Sequence, residues 1–384
     1  SQDESSRGVD GDNDRVLEEC FLPFADPGSE DQRQNLVRLI AINQGRLLDF
    51  FLDEERHNFQ MLRRWIDGFF DPLNENPSLG LPDWLLIVDL NQRSVTAQNA
   101  QLDSIFNRQL EAFLKPQFWE ACENCALKDR CFIKFNVDSL RDTTGGSIVR
   151  ERLRTLFEVV HLRRKLHITM RDLRSALIWL LLRDQDCDSV AQIVNQDNPD
   201  QSLHLLYYSA FATDGKPAQD AVDDRLVRLL REIDPAEVAN PALDRTLHTR
   251  WIKDVVPLIE FEQRASIDEQ QITLKRLRAW TQQIRDEDSK RGAISRALNR
   301  ILRRVVFFEG RGEDWRDMFP YRKLDTFRSA ANTDERHEQI KRDIARGISR
   351  LEGVLPQDND DAVYLRAGSE TRTKLMSFRT FPLQ

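Results

Sequence analysis

Leu39-Ile40-Ala41-Ile42-Asn43-Gln44-Gly45-Arg46-Leu47 is the stretch on which the fold reading turns. Arg38–Asn43 has the Val/Leu/Ile character of a strand buried on both faces, where apolar side chains fill both sides of the pleat. An amide, Asn43, closes the run, and Gly45 permits the turn that follows. Helices are expected over Arg46–Asp53 and Glu54–Phe70, because Phe50, Phe51, Phe59, Leu62, Trp65, Ile66 and Phe69 recur near helical spacing. Pro72, Asn74 and Pro77 break the pattern. Trp84-Leu85-Leu86-Ile87-Val88-Asp89 then reads as a second buried strand. Two apolar strands separated by helices predict part of a parallel α/β sheet.

Composition sets the surroundings of this segment. The chain has 384 residues, enough for two or three domains with cores of their own. Charged residues make up 31% and the net charge is −8, so no global attraction to nucleic acid is expected. Basic residues nevertheless cluster over Arg150–Lys165 and Arg296–Arg304, which leaves a local basic face open. No apolar run approaches the ~20 residues that cross a bilayer, and no signal peptide is visible, so a cytoplasmic protein without membrane attachment is expected. The polar stretch 1–15 reads as a linker, and with Ser1 in first place the chain reads as a piece of a longer polypeptide.

The order of an apolar strand ending in Asn, a Gly turn, helices, a second apolar strand and then an all-helical region resembles the back half of an AAA+ P-loop ATPase core. The resemblance implies that Asn43 is sensor 1, an amide that orients the attacking water against the γ-phosphate of ATP without titrating. It also implies an arginine finger, for which Arg63, Arg64 and Arg93 are candidates. Arg93 is preferred because it lies just past the C-terminal end of a strand, where α/β ligands bind. The chain departs from the family in two respects: no apolar strand ending in Asp-Glu precedes Leu39, and the phosphate-cradle motif is missing. No Gly-x-x-x-x-Gly-Lys-[Ser/Thr] occurs, since Gly215-Lys216 runs into Pro217 and Gly145-Gly146-Ser147 lacks the lysine. The phosphate cradle and the Mg²⁺ ligand are therefore expected outside this chain.

Cysteine spacing gives the most specific local pattern. Cys122-x-x-Cys125 is followed by Cys131. Two thiolates separated by two residues form a metal knuckle, because the turn brings both sulfurs to one ion. A structural Zn²⁺ wants a fourth ligand. Cys187 is the first choice, with Cys20 and His167 as alternatives. Asn136 or Asp138 is expected to cap a short helix ending near Asp142.

The segment 147–213 reads as a helical module. Ile148, Leu153, Leu156, Val159, Val160 and Leu162 form one apolar face. Thr169 is an N-cap with Asp172 at the third helical position, and Leu173, Leu177, Leu180 and Leu181 form the buried stripe. Arg171 and Arg174 sit in the first turns, where the helix dipole opposes them. In the AAA+ lid a corresponding helix carries sensor 2, an arginine reaching the phosphates, and the resemblance assigns that place to Arg171 or Arg174. Together with the cysteine run, these stretches also resemble the ATPase subunits of bacterial defence systems of the DptF type. That implies a homo-oligomer, or a partner protein within a defence complex, with nucleic acid as a possible further partner.

After a loop at Asp214–Pro217, helices are expected over Ala218–Ile233, Thr249–Gln263, Ile267–Asp288, Ala293–Val306 and Asp334–Arg350. Gly353 is expected as a stop, with strands at Val363–Arg366 and Lys374–Phe381. The aromatic cluster at Asp314–Tyr321 reads as packing between helices. No catalytic constellation appears in this half. The expected architecture is α/β followed by mostly α. Its parts are a linker at 1–15, a partial NTPase core at 16–115, a zinc-knuckle insertion at 116–146, a helical lid at 147–213 and a helical interaction domain at 214–384. The function implied is the C-terminal part of an ATPase that couples ATP and Mg²⁺ to a conformational change. The alternative is a non-catalytic, zinc-bearing helical scaffold.

Overall fold

The computed structural model describes residues 10–26, 37–52, 57–71, 73–74, 76, 80–98, 102–163, 167–195, 205–212, 224–238, 240–249, 257–262, 264, 291–312, 314–318, 324–330, 334–353, 362–366 and 378–382. Two compact units divide the chain between Arg93 and Ser94.

In the first unit, helices α1 (Asp10–Phe21), α2 (Gln44–Leu52) and α3 (Gln60–Phe70) surround one small core. Phe21, Phe50, Phe51 and Phe59 pack at ring-centroid distances between 5.1 and 6.3 Å. Leu17, Leu47, Leu62 and Ile66 close around them. Each fully buried side chain of this size contributes roughly 1.5–3 kcal/mol. Asp14 pairs with Arg46, which ties α1 to α2.

The α/β expectation is overturned here. Neither 37–43 nor 85–89 is a strand, and among the described residues this unit has no sheet. Both segments are extended, with period-two burial. Ile40, Ile42, Leu85 and Ile87 pack on the aromatic core, while Leu39 (97% exposed) and Leu86 (84%) face outward. The physical reason is the backbone. An extended segment must find ladder partners on a neighbouring strand, whereas a helix satisfies its N–H and C=O groups internally. Among the described residues neither segment makes the ladder hydrogen bonds that would make it a strand.

The second unit is built from helices α4 (Ile105–Phe113), α5 (Glu120–Glu123), α6 (Phe132–Arg141), α7 (Gly145–Leu162), α8 (Met170–Leu182), α9 (Cys187–Asn195) and α10 (Arg225–Arg231). It continues with α11 (Pro241–Thr249), α12 (Arg291–Glu309), α13 (Leu324–Ala330) and α14 (Asp334–Leu351). Its core is one contiguous cluster drawn from α4, α6, α7, α8, α10 and α12. Leu173, Ala176, Leu177, Leu180 and Leu181 are all buried, the helical repeat expected for α8. Thr169 caps that helix as its sequence predicts. The Thr169 Oγ1 accepts from the Asp172 N–H at 3.2 Å, and the Thr169 N–H donates to the Asp172 carboxylate at 3.0 Å.

Gly145 and Gly146 serve packing. A Cβ on Gly145 would stand 2.8 Å from the Glu260 carbonyl oxygen, and one on Gly146 would stand 2.6 Å from that of Ser139. Asp142 starts α7 by accepting from the N–H groups of Thr144 (2.9 Å) and Gly145 (2.7 Å).

Strand content among the described residues is one antiparallel hairpin, β1 (Ala362–Arg366) with β2 (Phe378–Pro382), apart from an isolated bridge between Leu258 and Gly310. The Tyr364 N–H donates to Ser349 Oγ at 3.1 Å and fixes β1 to α14. Gly353, at φ +85°, ends that helix in the left-handed region. The helix expected through Thr249–Gln263 is not continuous, because 257–262 is non-helical and bridges Gly310. The helix expected over Ile267–Asp288 lies outside the described residues. No helix among them is long and apolar enough to cross a membrane. The protein is all-α in class.

Candidate functional sites

Two places gather the residues singled out by sequence. The first lies in the first unit. Asn43 precedes α2 and is exposed; its Oδ1 accepts from the Gly45 N–H at 2.8 Å, and its carbonyl accepts from the Leu47 N–H at 2.9 Å. The carboxamide thus folds back onto the opening turn of its own helix. The second extended segment ends in a 3-10 turn, Leu90–Gln92, capped by Asp89 through the Asn91 N–H at 2.9 Å. Asn91 Nδ2 reaches Gln44 Oε1 at 3.5 Å, at the limit of a hydrogen bond, so the C-terminal ends of the two segments meet. Asn43 and Arg93 flank that meeting point, and Arg93 is exposed. Of the other finger candidates, Arg63 pairs with Asp67 at 3.6 Å.

The second place lies in the second unit. Cys122 lies in the short helix α5, one residue before its end, and the Cys125 N–H donates to the Cys122 carbonyl at 3.3 Å. The Leu127 N–H then donates to the Cys125 sulfur at 3.4 Å. Cys131 is the N-cap residue of α6. Lys134 binds the Glu123 carboxylate at 3.2 Å and Asp138 at 2.9 Å, which draws the end of α5 against α6. Burial lowers the Lys134 ammonium, but the two carboxylates outweigh it and leave the pKa raised. For Asp138 burial is the larger effect and leaves its pKa raised.

Asn136 and Asp138 are not caps, contrary to expectation. Both lie inside α6 and are buried. Asn136 Nδ2 donates to the carbonyls of Leu181 and Leu205, both at 3.1 Å, and its Oδ1 accepts from the Tyr207 N–H at 2.7 Å. Three backbone groups far apart in sequence are satisfied by one amide, and the end of α8 is fixed to α6. Arg183 and Asp184, at φ 54° and 56°, then turn the chain into α9, whose first residue is Cys187.

Two of the four thiols have raised pKa values. Burial raises the Cys122 thiol first, and the charges of Cys187 and Cys125 raise it further against the pull of Lys134. Burial also raises Cys131, opposed by the amides of Lys134 and Ile133 and reinforced by Cys122 and Cys125. A preformed zinc knuckle, expected as an element of the fold, is not present. Among the described residues no three His, Cys, Asp or Glu side chains stand in an arrangement that could hold an ion. Protonated thiols have no attraction to converge, and thiolates repel one another without a cation between them. Of the alternative fourth ligands, Cys20 lies on α1 of the other unit, and the His167 ring faces His161 at 6.0 Å.

Arg171 and Arg174 are exposed on the first turns of α8 and form no ion pair among the described residues. Helix α10 packs beside α8, and its Arg228 is likewise exposed.

Sequence reasoning missed a buried polar layer. Arg264 donates to Glu309 at 2.8 Å between the rings of Phe135 and Phe261, and Tyr207 gives its hydroxyl proton to the same carboxylate. Burial and the Glu309 charge hold the Tyr207 phenol well above its usual pKa. Arg152 donates to the carbonyls of Phe307 (2.8 Å) and Gly310 (2.7 Å); burial pulls its pKa down to about 10, so it stays charged at neutral pH. Arg304 binds Asp234 at 3.0 Å where both are buried. The signal in the sequence is that Arg152 and Arg304 interrupt apolar helix faces; Arg264 lies outside the described helices. No protein-family model, curated protein or solved structure matches the chain.

Proposed function

We propose that this chain supplies sensor residues to an ATPase of AAA+ type, with ATP and Mg²⁺ held by a P-loop segment outside these 384 residues. One observation carries the reading: the ends of two apolar extended segments meet through Asn91 and Gln44, with Asn43 and Arg93 beside that point. An amide and a guanidinium at one exposed edge are the groups that phosphoryl transfer uses for positioning and charge stabilisation. Asn43 orients the attacking water. Arg93 offers charge to the γ-phosphate, as a finger toward a neighbouring copy. Arg171 and Arg174, which form no ion pair among the described residues, are the sensor 2 candidates on α8. Hydrolysis then drives a conformational step in a nucleic-acid-processing or defence complex, acting as a homo-oligomer or with a partner protein.

The test uses a polypeptide that carries both this sequence and a P-loop segment. Asn43→Ala should lower the turnover of ATP about ten-fold or more while leaving nucleotide affinity nearly unchanged, since the amide acts on water and not on bound ATP. An equal loss of affinity, or wild-type turnover, overturns the sensor role.

A second reading, a non-catalytic helical scaffold, is favoured by the exposed Arg171, Arg174 and Arg228 on neighbouring helices, which form no ion pair among the described residues. Guanidinium groups without protein partners suit phosphate oxygens. Absence of nucleotide binding in the test above, together with salt-sensitive binding of nucleic acid, selects this reading.

A further inference from the structure

We propose that α6, the end of α12 and the turn at Tyr207 form a guanidinium-binding pocket, which the chain fills with its own Arg264 as an internal ligand. Phe135 and Ser139 stand one turn apart on α6, and Glu309 is the last residue of α12. The Arg264 guanidinium lies 4.7 Å from the ring centroid of Phe135. It donates to the two Glu309 carboxylate oxygens at 2.8 and 3.5 Å, and Ser139 Oγ accepts from it at 3.5 Å. A ring face beside a carboxylate suits a flat, forked cation, which stacks and donates twice at once; a compact ammonium does only one of these well.

The walls of the pocket do not depend on Arg264. Asn136 Oδ1 accepts from the Tyr207 N–H at 2.7 Å, the Tyr207 ring stacks with Phe135 at 6.2 Å, and the Tyr207 hydroxyl donates to Glu309. Arg152 holds the carbonyls of Phe307 and Gly310, on either side of Glu309, at 2.8 and 2.7 Å. Phe135, Ser139, Tyr207 and Glu309 are all buried. Clearing the pocket therefore leaves a carboxylate out of water without its ion-pair partner, a state that calls for another cation.

The segment 257–262 leads to Arg264 and is a strap with ties of its own. The Ile259 N–H donates to the Glu309 carbonyl at 2.8 Å, and the Pro257 carbonyl accepts from the Arg311 N–H at 2.6 Å. The Glu262 carboxylate accepts from Thr144 Oγ1 at 2.8 Å at the start of α7. Phe261 adds a second ring 3.8 Å from the guanidinium, and it can lie there because Gly145 has no Cβ, which would stand 2.6 Å from that ring. The backbone and carboxylate ties of the strap thus lie outside the pocket. A guanidinium supplied from elsewhere competes with Arg264 for the same place.

The experiment replaces Arg264 in the full chain and offers methylguanidinium, at concentrations too low to denature, with methylammonium as the control. Arg264→Ala should lower the thermal midpoint by several degrees. Methylguanidinium should raise it again in a saturable way, and methylammonium should not. The unsubstituted chain, with its pocket filled, should respond to neither. The rescue should disappear when Glu309→Gln is added to Arg264→Ala. Where Arg264→Ala does not fold unaided, the yield of refolding from urea with each cation reads the same comparison. Equal responses to the two cations, as expected if Arg264 only fills space, overturn the pocket. A methylguanidinium response that survives Glu309→Gln also overturns it, and an unsubstituted chain that responds as the variant does overturns its filling by Arg264.

Discussion

Leu39 and Leu86 of the first unit stand 97% and 84% exposed, while Leu140, Leu153, Leu173 and Leu177 of the second are completely buried. The residue types are the same, and the local sequences are about equally apolar. The difference lies in what the backbone requires. Helices α6, α7 and α8 satisfy their own peptide groups, so their apolar stripes need only another stripe, and each finds one. An extended segment has two further edges of N–H and C=O to satisfy. Segments 37–43 and 85–89 bury one face through Ile40, Ile42, Leu85 and Ile87 and leave the other in solvent. Apolar composition alone therefore does not predict burial in these two segments, where each run buries one face only. An apolar edge left unpaired is also the template on which strands of other chains add.

The sharpest way to break the comparison is to remove a charge from the buried layer of the second unit. Asp234 and Arg304 are 4% and 1% exposed. Asp234→Ala leaves the guanidinium buried without its counter-charge and is expected to cost about 3–5 kcal/mol. Urea denaturation followed by circular dichroism measures this. A loss below about 1 kcal/mol, the range of exposed ion pairs, would mean that water reaches Arg304 and that the helical core is looser than its burial indicates.

The second test lies within the first unit. Phe50 is 1% exposed and touches three other phenylalanines, so Phe50→Ala is expected to cost about 3–5 kcal/mol. Leu39→Ser with Leu86→Ser should change stability by no more than about 0.5 kcal/mol each, because those side chains bury almost nothing. The same double substitution should reduce self-association in sedimentation velocity, since it removes apolar groups from an unpaired edge. If instead it destabilises the unit as Phe50→Ala does, the outward faces are covered in solution and the contrast fails.

Much of the helical architecture was legible from sequence because its signals are local. The Thr169–Asp172 box, the stripe of α8, the extent of α14 and the left-handed Gly353 stop each depend on residues within a few positions. The hairpin at 362–366 was legible for the same reason. Strand pairing is a non-local property, and the continuous apolar run of 84–89 does not report whether a strand stands ready to pair with it. Asn136 was misread for a related reason. Its amide looks like a cap in one dimension, but its partners Leu181, Leu205 and Tyr207 lie between 45 and 71 residues away. Of the candidate sites, the spacing of Cys122, Cys125 and Cys131 was visible at once.

The smallest expected effect is a response to pH confined to the second unit. His161, in the last turn of α7, is lowered by burial and then by the charge of His167, with Glu158 acting the other way. The folded state therefore holds His161 neutral more strongly than the unfolded chain does. The unfolded chain binds the proton first as pH falls, so the stability contributed by the neutral ring is present above the ordinary histidine pKa of about 6.5 and is lost below it. His161→Gln keeps a polar side chain without the titration. The variant should flatten the slope of stability against pH for the second unit between about pH 7 and pH 5, and leave the alkaline side unchanged. Urea midpoints across that range read the slope directly. A slope that survives the substitution would move the titration to the carboxylates of the buried layer. A slope of opposite sign would mean that Glu158 outweighs both burial and His167, and that the end of α7 gains a charged pair on acidification.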